Sequence, residues 1–173
     1  MKLSVLAMAL TGWSIMAANT LWAADDIPLT TPVSGVVEKV FVKPGQRVSK
    51  GTLLLQLDKT ILQARLDEAV AEQARAQAEE SDAKRDLDRA QELFDRTVSS
   101  LTELDAAVLR HARAQAVLSM AGARRVIAEK NLQDAELKAP FTAVVKAVPG
   151  MPGTVVTAEC QPKTLVILSS QRP

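Results

Sequence analysis

The sequence predicts an α+β protein: a small β-sandwich interrupted by a long antiparallel α-helical coiled-coil hairpin. Three observations carry this. A β-branched passage, "TPVSGVVEKVFVKPGQRV" at 31–48, returns as "APFTAVVKAVPGMPGTVV" at 139–156. Between the copies the hydrophobic period lengthens from two residues to three and a half. No proline falls inside either stretch of the longer period.

The 173 residues suit one modest domain, or one small domain with an extended insertion. Residues 1–23 read as a secretory signal peptide: Lys2, an apolar stretch "LSVLAMALTGWSIMAA", then small residues up to a cleavage point after Ala23. The alternative is an uncleaved inner-membrane anchor, which Thr11, Gly12, Ser14, Asn19 and Thr20 make a poor span. Either way the chain is expected in the periplasm. Both Trp residues lie in this segment and there is no Tyr, while basic and acidic side chains nearly balance. That composition argues against nucleic acid, which selects basic surfaces and stacking aromatics. Cys160 is the single cysteine, so no internal disulfide is possible, and a small half-buried hydrophobe is its expected role.

The two copies superpose at one constant offset. Pro32 falls on Pro140, Gly35 on Ala143, Val36 and Val37 on Val144 and Val145, Val40 on Val148, Gly45 on Gly153 and Val48 on Val156. Residues 30–58 and 137–169 are therefore two halves of one β domain, each closing on a further apolar run, "GTLLLQLD" and "KTLVILSS". Neither half can bury a face alone, so the two pack on each other. Turns are expected at Gly35, Gly45, Gly51, Pro140 and Gly153, and Ala143 excludes positive φ from its own turn.

Residues 59–136 form the hairpin. Alternate steps of four and three from Leu62 give Leu66, Ala69, Gln73, Ala76, Glu80, Ala83, Leu87, Ala90 and Phe94. From Leu104 the same stepping gives Ala107, His111, Ala114, Leu118, Ala121, Arg125, Ala128, Leu132 and Ala135. The tip lies near 97–101. Ser100 and Glu103 make a capping box for the second helix, and Thr60 with Gln63 would start the first. Folding at Ser99 sets alanine against alanine along most of the seam, Gln73 against Arg125, Glu80 against Leu118 and His111 against Leu87. At about 1.5 Å per residue the seam extends roughly 50 Å, the reach of a spacer with a working end.

These residues resemble the periplasmic adaptor subunits, also called membrane fusion proteins or HlyD-like proteins, of tripartite efflux and type I secretion systems. In that family a lipoyl-like domain, or barrel-sandwich hybrid, is split by a helical hairpin. The resemblance implies a non-enzymatic protein with no cofactor. It implies an outer-membrane TolC-like channel and an inner-membrane transporter of RND or ABC type as partners, and a homo-oligomeric ring of three or six. The family's channel-contact motif matches Arg89, Leu93 and Ser100, followed by Glu103, Leu104 and Asp105 as tip support. Arg89 has a plain alternative as a solvated charge, and Ser100 as a cap alone; Leu93 lies off the seam and is harder to explain that way. The family's β-barrel and membrane-proximal domains have no counterpart here, so the reading is of a short form.

Two other functions are open. A short form could be a spacer or regulator that associates with a full-length adaptor. A lipoyl or biotinyl carrier would modify a lysine near the turn between the halves, where "LDKT" supplies Lys59. A metal role is not supported, because Met120, Met151, His111 and Cys160 are scattered over different elements. No nucleophile and base pair stands out, so no catalysis is expected.

Overall fold

The computed structural model describes residues 26–158 and 163–170. The expected signal peptide, residues 1–23, and Cys160 lie outside the described residues.

Among the described residues eight strands and two helices follow in the order β1 (Asp26–Leu29), β2 (Gly35–Val40), β3 (Arg47–Val48), β4 (Leu53–Leu57), α1 (Thr60–Asp95), α2 (Leu101–Asp134), β5 (Glu136–Lys138), β6 (Ala143–Ala147), β7 (Val155–Val156) and β8 (Val166–Ser169). They form two four-stranded sheets, β1-β8-β6-β3 and β5-β4-β2-β7. Each half of the repeat places two strands in one sheet and lends its middle strand to the other. β3 pairs antiparallel with β6, and β7 with β2.

The exchange is reciprocal down to single hydrogen bonds. The Gly45 N–H donates to the Val145 carbonyl at 2.8 Å, and the Gly153 N–H to the Val37 carbonyl at 2.8 Å. In return Val145 N–H donates to Gln46 O, and Val37 N–H to Thr154 O, both at 2.9 Å. Gly45 and Gly153 both have φ 86°, a conformation that only glycine adopts freely. Each turn thus clasps the other half's strand. Gly51, with φ 85°, is the third glycine turn, and Pro140 stands at the bend between β5 and β6.

Gly35 is not a turn. It and Ala143 open strands β2 and β6 at matching places, and neither has positive φ. The glycine-to-alanine difference therefore carries no conformational demand. A Cβ at Gly35 would rest 3.4 Å from a Leu57 methyl, an easily accommodated contact.

Alternation places Val37, Leu55, Leu57, Val145, Val156, Val166 and Leu168 inward, where all are buried. The core they make with Leu54 and Leu165 continues through Ala135 to Leu62 at the hairpin base. Burial of this kind contributes roughly 1.5–3 kcal/mol per large side chain.

α1 and α2 run 36 and 34 residues. Their buried residues, Leu62, Ala69, Ala76, Leu104, Ala107 and Ala121, all belong to the two expected seams. The cross-hairpin pairing of the polar breaks differs from simple layer matching. His111 and Glu80, which layer matching leaves opposite Leu87 and Leu118, pair with each other, His111 Nε2 lying 3.0 Å from Glu80 Oε1 in a mostly buried contact. The Gln73 amide lies over Gly122, and Arg124 reaches Glu72 across the hairpin. Long side chains bridge between layers because they slant along the helix axis, which a layer-by-layer register ignores.

The start of α1 also differs from expectation. Lys59 is the N-cap and makes no side-chain cap, and Thr60 is the first helical residue. Asp58 satisfies the helix end instead, its Oδ1 accepting from the Thr60 N–H at 2.9 Å. Bonds from the Thr60 backbone and hydroxyl hold the Asp58 carboxyl below its ordinary range.

Candidate functional site

The tip is built by two helix terminations five residues apart. At the C-terminus of α1, Arg96 N–H donates to Glu92 O, Thr97 N–H to Phe94 O at 2.9 Å and Val98 N–H to Leu93 O at 3.0 Å. These bonds use carbonyls that the helix end would leave unpaired. At the N-terminus of α2 the capping box is complete. Glu103 N–H donates to Ser100 Oγ, and Ser100 N–H to Glu103 Oε2 at 3.1 Å. Ser99 Oγ adds a bond to the same carboxylate oxygen at 2.8 Å. The Ser99 hydroxyl and then the Ser100 N–H hold the Glu103 carboxyl below its usual range, and its charge suits the positive end of the helix.

Leu104 is buried in the seam just behind the cap, and Asp105 is exposed beside it. Ser100 and Glu103 are thus committed to the turn, and Leu104 to the interface below it. Arg89 and Leu93 face outward. Leu93 is 39% exposed and Arg89 more so, with its guanidinium 3.2 Å from Asp86 on the same helix. An exposed i,i+3 ion pair of this kind contributes little to stability.

Residues the sequence reading did not single out complete the surface. Val98 is 74% exposed and Leu101 59%, and Phe94, expected in the seam, lies at its open edge. For Val98 the signal was a β-branched residue inside a five-residue turn, where nothing remains to bury it.

The other end of the hairpin is anchored by charge and backbone. The Thr31 hydroxyl, buried, donates to the Asp134 carbonyl at 2.9 Å at the end of α2. Lys59 pairs with Glu136, which also meets Lys138 at 2.8 Å. The Lys138 bond and then the Lys59 bond pull the Glu136 carboxyl down to about 2. Lys59, the residue a carrier would need free, is thus engaged in the hinge. Among the described residues no group of three or more His, Cys, Asp or Glu could hold a metal ion. No helix among them is long and apolar enough to cross a membrane.

No protein-family model matches the chain. It is 33% identical over 151 residues to the efflux pump periplasmic linker BepF of Brucella suis biovar 1 (strain 1330), an alignment covering 87% of this chain and 36% of BepF. The chain spans about a third of the length of that relative. Among solved structures, MacA from Actinobacillus actinomycetemcomitans is similar at TM-score 0.56 and 25% identity, covering 82% of this chain and 48% of MacA. The membrane fusion protein Spr0693 from Streptococcus pneumoniae R6 shares the fold at TM-score 0.64 and 17% identity, over 84% of this chain and 59% of that one. With its β body split by a capped helical hairpin, and with these relatives, the chain belongs to the periplasmic adaptors, or membrane fusion proteins, of the HlyD type.

Proposed function

We propose that this protein is the periplasmic adaptor of a tripartite efflux system: lipoyl-like bodies associate in a ring, hairpins line up as a tube, and tips engage a TolC-like outer-membrane channel. An inner-membrane transporter completes the assembly. The relative named as an efflux pump periplasmic linker supports the system type.

The tip carries the channel reading. Leu93 is an apolar side chain off the seam, one turn from Arg89, at the end of a rod whose turn is pinned by Ser100 and Glu103. A rigid, partly apolar helix end suits packing against partner helices.

Side-by-side association draws on the back of α2. Leu109, Ala112, Ala116, Ser119, Ala123 and Val126 repeat at heptad spacing there and are all exposed. From Ala106 to Ala128 this helix holds four arginines and no acid, whereas Asp and Glu outnumber Arg and Lys along α1. The outer faces of neighbouring hairpins are thus complementary in charge.

Leu93→Asp, or Arg89→Ala, is expected to abolish crosslinking to the outer-membrane channel while helicity by circular dichroism is unchanged. Normal crosslinking by both variants would overturn the tip assignment.

A further inference from the structure

Among the described residues Thr97 is the one non-glycine with a left-handed backbone, at φ 62°. For a β-branched side chain that conformation is a genuine outlier, because the Cβ crowds the following carbonyl. Thr97 follows the C-cap Arg96 of α1, the position where helices ordinarily place glycine. Its N–H and that of Val98 close on Phe94 O and Leu93 O, the two bonds of a Schellman turn. Glycine would close the same turn without strain. Threonine has a stiff χ1 and few alternatives once both bonds are made. Strain of this sort persists where the surroundings over-determine it, and it concentrates at working sites.

The turn decides where Val98 goes. Its N–H is bonded to the Leu93 carbonyl, so the turn holds two exposed apolar residues close together at the tip. We propose that Thr97 is a positioning residue of the tip: its left-handed turn fixes Val98 beside Leu93, and Arg89, Leu93 and Val98 together meet the helix ends of the channel. The inference rests on the channel-contact reading.

The test uses the full chain and the purified TolC-like outer-membrane channel of the same organism, read by binding affinity, with circular dichroism as the fold control. Thr97→Gly and Thr97→Asn, which tolerate the left-handed region, should bind within twofold of wild type. Thr97→Gly should also raise Tm by about 2–4 °C as strain is relieved. Thr97→Pro cannot reach positive φ and lacks the N–H that bonds Phe94, so it should bind at least tenfold more weakly with helicity kept. Val98→Asp, which leaves the turn intact, should lose as much. Wild-type affinity in Thr97→Pro or Val98→Asp, alongside a defective Leu93→Asp, would overturn the inference and leave the channel reading standing. Wild-type affinity in Leu93→Asp would overturn both.

Discussion

The β body and the hairpin use apolar residues in opposite ways. The body closes on leucine and valine, with Leu54, Leu55, Leu57, Leu165 and Leu168 fully excluded from solvent. Along the hairpin the buried residues between the base and the tip are alanines, Ala69, Ala76, Ala107 and Ala121. The body therefore owes its stability to area removed from water, about 25 cal/mol per Å². The hairpin removes little area per layer and gains closeness of approach and length instead. The difference divides the molecule into a closely packed base and a thin rod whose outer faces and tip stay exposed.

The largest expected effect tests the body. Leu168→Ala, on the interior strand β8, should cost about 2–5 kcal/mol in a urea melt and unfold body and hairpin together. A cost below 1 kcal/mol would show that the core does not dominate. In the rod the sensitive direction is the reverse. Ala76→Leu inserts bulk at a fully buried seam position and should cost about 1–3 kcal/mol. If it stabilises the protein, the seam is looser than its alanines imply.

The reciprocal clasp predicts equality within the body. Gly45→Ala and Gly153→Ala meet no atom within 4 Å, so each pays only the left-handed backbone cost of about 1–2 kcal/mol. Unequal losses in matched thermal melts would break the two-fold relation between the halves.

The hinge between the regions has a pH signature. The Glu136 carboxyl is held at about 2 in the folded protein against 4.5 unperturbed, so its stabilisation is complete above pH 4.5 and is lost as pH falls towards 2. Glu136→Gln should cost roughly 1 kcal/mol at neutral pH, because the site is partly open to solvent. Wild type and variant should converge near pH 2; a gap that persists there would assign the effect to packing. Smallest is the tip. Ser100→Ala removes the helix cap and should cost about 0.5–1 kcal/mol, seen as a slight fall in Tm with the body untouched.

Much of this was legible in the chain. Repetition located the two β halves, the change of period located both helices and their seams, and Ser100 with Glu103 announced the second helix start. Those are local signals, carried by residues within a few positions of each other. Gly35 was misread as a turn because glycine alone does not tell a strand start from a reversal. Asp58 displaced the expected Thr60 cap, since side chain and backbone two residues apart satisfied the helix end first.

What the sequence determined by itself is the division into repeat, rod and tip, because hydrophobic period and capping chemistry act over a few residues. Tertiary structure alone decided the exchange of β3 and β7 between sheets, the meeting of Glu80 with His111, and the left-handed Thr97 that sets Val98 beside Leu93. Each of these depends on closing elements that are distant in sequence, or on a turn forced by how two helices end, and no short stretch of residues encodes that geometry.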